Sequence, residues 1–166
     1  MNTIVAVLTG KSVTRIIDKL ASAFKGLPHL PKGMVNFLVS VAPWLAGLGG
    51  VLGTISGLKL LGNWLGWGAK WWLQLAGLSP TYFLLIGLLQ LLGGIVLLLA
   101  FNPLKERQLT GWTLLFVNMA IGLTQSLVAL VYTYMAGGSL LGTLLGLVIG
   151  LYFLFEVKGA YATSEK

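Results

Sequence analysis

Cysteine is absent from this 166-residue chain, so no disulfide framework, thiolate metal site or thiol nucleophile can be built. Charge is scarce as well. Only 9% of residues are Asp, Glu, Lys or Arg, against about 25% in an ordinary soluble domain. Acids are scarcest. Asp18, Glu106, Glu156 and Glu165 are the full set, and no two are spaced as a general acid/base pair or a metal-binding pair. The single histidine, His29, lies in LPHLPKG, and one imidazole is not a metal site; a solvated interfacial histidine is its expected state. No nucleophile–base arrangement stands out. GLGGVLG has the look of a phosphate loop, but it follows no strand and lies in an apolar run. These absences predict a non-enzyme with no catalytic residues, no cofactor and no metal.

What is present is hydrophobic: 57% of the residues, with 23 glycines. Such a chain cannot cover itself with a water-compatible surface, which makes the lipid bilayer its expected solvent. The net charge of +7 then reads as membrane orientation and lipid contact rather than nucleic-acid binding. The apolar start, Ile4 to Leu8, is too short for the apolar core of a secretory signal.

Four stretches have the length and apolarity of spans: about 37–61, 80–101, 111–135 and 139–157. About 20 helical residues cross about 30 Å of hydrocarbon. With no water to satisfy backbone groups, helices are the form expected, and nothing alternates as a barrel strand would. The predicted fold is all-α: a polytopic membrane protein with four transmembrane helices in an up-down bundle, preceded by an N-terminal amphipathic interfacial helix. Residues 1–33 form the amphipathic segment with its Pro/Gly linker, and 34–166 the transmembrane domain. Between spans two and three, NPLKERQLT carries Pro103, expected to stop a helix, and three consecutive charges. Only Ala136, Gly137 and Gly138 separate spans three and four, which predicts antiparallel neighbours. Between spans one and two lie Trp64, Trp67, Trp71 and Trp72, four of the six tryptophans, expected at the headgroup level.

In SVTRIIDKLASAF, Val13, Ile16, Ile17, Leu20 and Phe24 share one helical stripe, and Lys11, Arg15 and Lys19 share the other side. That is the pattern of a helix lying on an anionic membrane surface. Positive charge also sets orientation. Lys11, Arg15, Lys19, Lys25, Lys32, Lys105, Arg107, Lys158 and Lys166 fall on one side, and only Lys59 and Lys70 on the other. The basic side faces the cytoplasm, so both termini are expected inside the inner membrane.

Two glycine rows repeat every fourth residue: Gly49, Gly53, Gly57 and Gly142, Gly146, Gly150. Lipid tails are as apolar as leucine, so helices associate through close packing, which glycine permits. Gly47 and Gly50 widen the first groove, and Thr143 flanks the second. Such glycine-zipper faces pack either within one bundle or against another subunit, and the spacing leaves both open. Polar groups within spans are few and neutral: Gln90 in span two, and Asn118 and Gln125 on one face of span three, with Thr124 and Ser126 nearby. Their default role is hydrogen-bonded glue between helices; a polar pathway is the sharper reading. Lys59 can snorkel outward. Glu156 reads as a boundary carboxylate beside Lys158.

LPKGMVNFLVSVAPWLAGLGGVLG, GWTLLF after a charged turn, and the closing LYFLFEVKGAY together resemble a group of small four-span bacterial membrane proteins of unknown function, over roughly 30–161. The tryptophan-rich insert has no match there. The resemblance implies the four-span fold and brings no activity, cofactor or site residue.

Three functional readings follow. The first is a non-enzymatic structural or accessory subunit, packing through its glycine faces as a homo-oligomer or within a larger membrane complex. The second is an oligomeric pore or small transporter with water at Gln90, Asn118 and Gln125. The third is a lipid or membrane-surface sensor acting through the basic N-terminal helix.

Overall fold

A computed structural model describes residues 29–66, 80–133 and 140–162, together with Ile17 and Lys19. Among these residues the protein is all-helical. The helices are α1 (Lys32–Leu65), α2 (Pro80–Lys105), α3 (Leu109–Thr133) and α4 (Leu140–Ala162). Three runs are long and apolar enough to cross a membrane: Lys32–Leu65, Pro80–Lys105 and Leu109–Tyr132. At 34 residues, α1 is about 51 Å long and outreaches the hydrocarbon layer. It starts at Pro31, whose carbonyl accepts the Met34 and Val35 N–H groups at 2.9 and 3.2 Å. Proline suits that position because its missing N–H would have no helical partner there.

The glycines decide how α1 meets α2. A Cβ at Gly57 would stand 2.6 Å from the Leu91 backbone nitrogen, one at Gly50 2.9 Å from that of Leu98, and one at Gly53 3.2 Å from the Gly94 Cα. At Gly47 it would meet the Phe101 ring at 2.9 Å. As the α1 number rises the α2 number falls, so the two helices are antiparallel with their backbones nearly touching. The buried α1 seam is Ala46, Gly50, Gly53 and Gly57. This corrects the strict four-residue row. At about 100° per residue, a step of four drifts about 40° off axis, whereas alternating four and three keeps the seam on its neighbour. Gly49 falls beside the seam, only half-buried. The first row therefore packs inside the bundle, against α2.

Pro103 does not stop α2, which continues to Lys105. Pro103 has no N–H for the Leu99 carbonyl four residues back, and only two further residues continue the helix beyond it. The helix ends two residues later in a Schellman turn. Arg107 N–H donates to Leu104 O at 3.1 Å and Gln108 N–H to Pro103 O at 2.8 Å, with Arg107 at φ 56°. Gly111 follows, and a Cβ there would sit 2.6 Å from the Leu104 nitrogen. This turn folds α3 back along α2.

Aromatics join α3 to α4 near the same end. Trp112 is buried, and its Nε1–H donates to the Leu154 carbonyl at 2.6 Å. Its ring stacks on Phe116, with centroids 5.9 Å apart, and tilts against Phe155 at 5.7 Å. The Lys158 ammonium lies 5.2 Å from the Trp112 ring centre. Val39, Ala100, Leu104, Leu154, Val157, Tyr161 and Ile17 belong to the same core. Elsewhere large apolar side chains face outward, among them Leu48, Leu52, Leu92, Leu127 and Leu145. In water that surface would aggregate; in lipid it is the expected exterior.

Candidate functional site

Polar side chains in the middle of an apolar bundle are the natural place to look for a site. Gln90 stands ten residues into α2, about 15 Å along its axis. Asn118 and Gln125 stand in the middle stretch of α3. The fold brings all three, each partly buried, together around a half-open cavity of about 120 Å³ between α1, α2 and α3. Glycines form much of the remaining wall: Gly49 and Gly53 from α1, Gly93 and Gly94 from α2, and Gly122 from α3. Leu97 and Ile121 are the apolar part.

The Gln125 amide nitrogen donates to the Gln90 side-chain oxygen at 2.9 Å, which fastens α3 to α2 across the cavity. A Cβ on Gly93 would stand 3.1 Å from the Asn118 Oδ1, so the missing side chain leaves room for that amide. Gly94 has no such room to give: a Cβ there would meet the Thr54 backbone nitrogen at 2.5 Å. Nearby hydroxyls bond within their own helices. Thr54 donates to Gly50 O, Thr124 to Ala120 O and Ser126 to Gly122 O, at 2.8 to 3.0 Å. The unmatched hydrogen-bonding capacity of the cavity therefore belongs to the amides. Among the described residues, no charged side chain lines it.

A second polar cluster lies at the end of the bundle nearest the α2–α3 turn. Glu156 accepts the Leu30 N–H at 2.9 Å and the His29 Nδ1–H at 2.8 Å. Its side chain is 11% exposed, that of His29 75%. His29 is largely exposed, and through it and Leu30 the Glu156 carboxylate ties the α1 entry to α4. Residues two apart on a helix point to different faces, and Lys158 lies over Trp112. The Tyr161 hydroxyl is buried with no hydrogen-bond partner among the described residues.

The second glycine row is divided. Gly150 lies under the Met119 side chain. Gly142 and Gly146 are exposed, and a Cβ at Gly146 would meet nothing within 4 Å. Of the interfacial residues, Trp64 is half-buried in the last turn of α1 and Lys19 is exposed and helical, with Ile17 buried in the core. Lys11, Arg15, Trp67, Trp71 and Trp72 lie outside the described residues. Among the described residues, no three His, Cys, Asp or Glu side chains come together.

Sequence reasoning singled out the three amides but not their convergence. It passed over Gly93, Gly94 and Gly122, although a Gly-Gly pair inside an apolar helix is itself a sign of close backbone approach. It also passed over Trp112, whose indole N–H needs a partner once buried. No family model matches this chain, and no curated protein or solved structure is similar to it at a level that carries an argument.

Proposed function

We propose that this protein is a small, non-enzymatic integral membrane subunit that assembles with other membrane helices through one face of α4. The carrying observation is the contrast between the two glycine rows. The α1 seam is filled by α2, with would-be Cβ atoms at 2.6 to 3.2 Å from α2 atoms at Gly50, Gly53 and Gly57. On α4, Gly146 faces open space, with Leu145, Val148 and Ile149 exposed around it. A groove that admits a backbone, framed by apolar side chains, suits a helix from a second copy or a larger membrane complex.

In this reading α4 is a fourth span, since its 23 residues reach about 35 Å. The helices then run up and down, both termini lie on the cytoplasmic side of a bacterial inner membrane, and the basic N-terminal segment rests on the anionic leaflet. Ile17 in the core and Lys19 in the open support an amphipathic helix there.

Gly146→Leu tests the assembly. The substituted protein should insert and fold as before, yet migrate as a smaller species than the parent on native gels in mild detergent. Unchanged migration would remove the α4 face from the account.

A further inference from the structure

We propose that the cavity between α1, α2 and α3 is a binding site for a small uncharged molecule that both donates and accepts hydrogen bonds: water, or a solute of about the size of urea. This goes beyond the assembly role and does not depend on it.

The argument begins with hydrogen-bond accounting. Each carboxamide carries one oxygen acceptor and an NH2 donor pair. Among Gln90, Asn118 and Gln125, the protein makes one bond, Gln125 to Gln90 at 2.9 Å. The Gln90 amide nitrogen lies 3.6 Å from where a Gly53 Cβ would be. Asn118 faces the bare backbone of Gly93. In hydrocarbon an unmatched polar group is unfavourable. An occupant that answers these groups removes that cost, and a lipid tail cannot.

Size and charge narrow the occupant. An apolar cavity of about 150 Å³ stays dry and admits benzene, whereas a polar one holds water where two to four partners converge. Here about 120 Å³ is walled by three amides and five glycines. At about 30 Å³ of liquid volume each, up to about four waters fit, or one small amide or alcohol. An ion is disfavoured because no lining side chain could balance its charge. The glycines make the space: a Cβ at Gly53 would press on the Gly94 Cα at 3.2 Å, and one at Gly93 on the Asn118 Oδ1 at 3.1 Å.

Thiol alkylation in sealed membrane vesicles reads occupancy directly. The chain has no cysteine, so each introduced thiol is alone. The reactive species is the thiolate, which forms where water reaches the sulfur. Asn118→Cys and Gln125→Cys probe the α3 wall of the cavity at two depths; Leu123→Cys, on the same helix but exposed and outside the lining, is the control. With N-ethylmaleimide, the two cavity thiols should react at least about tenfold faster than the control. Gly122→Leu, at a lining position with nothing within 4 Å of its Cβ, should bring the rate at Asn118→Cys down to the control level. Slowing by molar urea would show that a solute enters; rates indifferent to urea would assign the cavity to water. Should Asn118→Cys fail to accumulate, Gln125→Cys carries the comparison. Cavity thiols no faster than Leu123→Cys, or rates unmoved by Gly122→Leu, would overturn the proposal.

Discussion

Gln125 on α3 donates a hydrogen bond of 2.9 Å to Gln90 on α2, and it is the one side-chain bond that the described residues make between spanning helices in the middle of the bundle. Interhelical amide bonds contribute about 0.6 kcal/mol on average and up to about 1.7 kcal/mol, because the separated helices also find partners. A double-mutant cycle of Gln90→Leu and Gln125→Leu, read by unfolding in mixed micelles, should return a coupling in that range. A coupling near zero would mean that the two amides bond to something other than each other.

The glycines should answer alanine with opposite signs. At Gly57 the added Cβ would stand 2.6 Å from the Leu91 backbone, and α1 and α2 must move apart. Gly57→Ala should cost on the order of 1–3 kcal/mol of bundle stability. At Gly146 there is open space, and Gly146→Ala should be neutral or stabilise by up to about 1 kcal/mol through helix propensity. The same micelle titration compares them side by side.

Arg107 holds the left-handed position of the turn that ends α2, at φ 56°. A side chain there carries a steric cost that glycine avoids, roughly 1 kcal/mol. Arg107→Gly should therefore raise the unfolding midpoint, and Arg107→Val, branched at Cβ, should lower it. The two shifts together separate backbone conformation from the loss of one positive charge.

Trp112 ties α3 to α4 through its indole N–H on the Leu154 carbonyl, at 2.6 Å. Trp112→Phe keeps a ring against Phe116 and Phe155 but loses that donor and weakens the contact with Lys158. The expected loss is about 1–2 kcal/mol. It should appear as earlier separation of α4 in hydrogen exchange, with α1 and α2 protected as before.

Three helices long and apolar enough to cross a membrane were legible because apolar runs of that length have few other uses, and the three amides because they interrupt such runs. Their meeting was not legible. Which residue of α2 faces which residue of α3 depends on the turn at Arg107 and on how deeply α1 sinks into α2, and neither leaves a mark at Gln90 or Asn118. The first glycine row was read in the right place but one step out of register at Gly49, since spacing by four ignores the drift of the helix against its neighbour. Pro103 was read as a stop because a proline inside a helix usually is one; the helix runs only two residues past it, to Lys105. The tie of Glu156 to His29 and Leu30 joins distant parts of the chain, and no periodicity carries that information.

Native mass spectrometry of the unsubstituted protein, released gently from its own membrane, tests the central claim most directly. The account predicts an assembly, either a homo-oligomer of defined number or a complex with larger membrane proteins. A bare monomer, with Gly146 open to lipid alone, would contradict it.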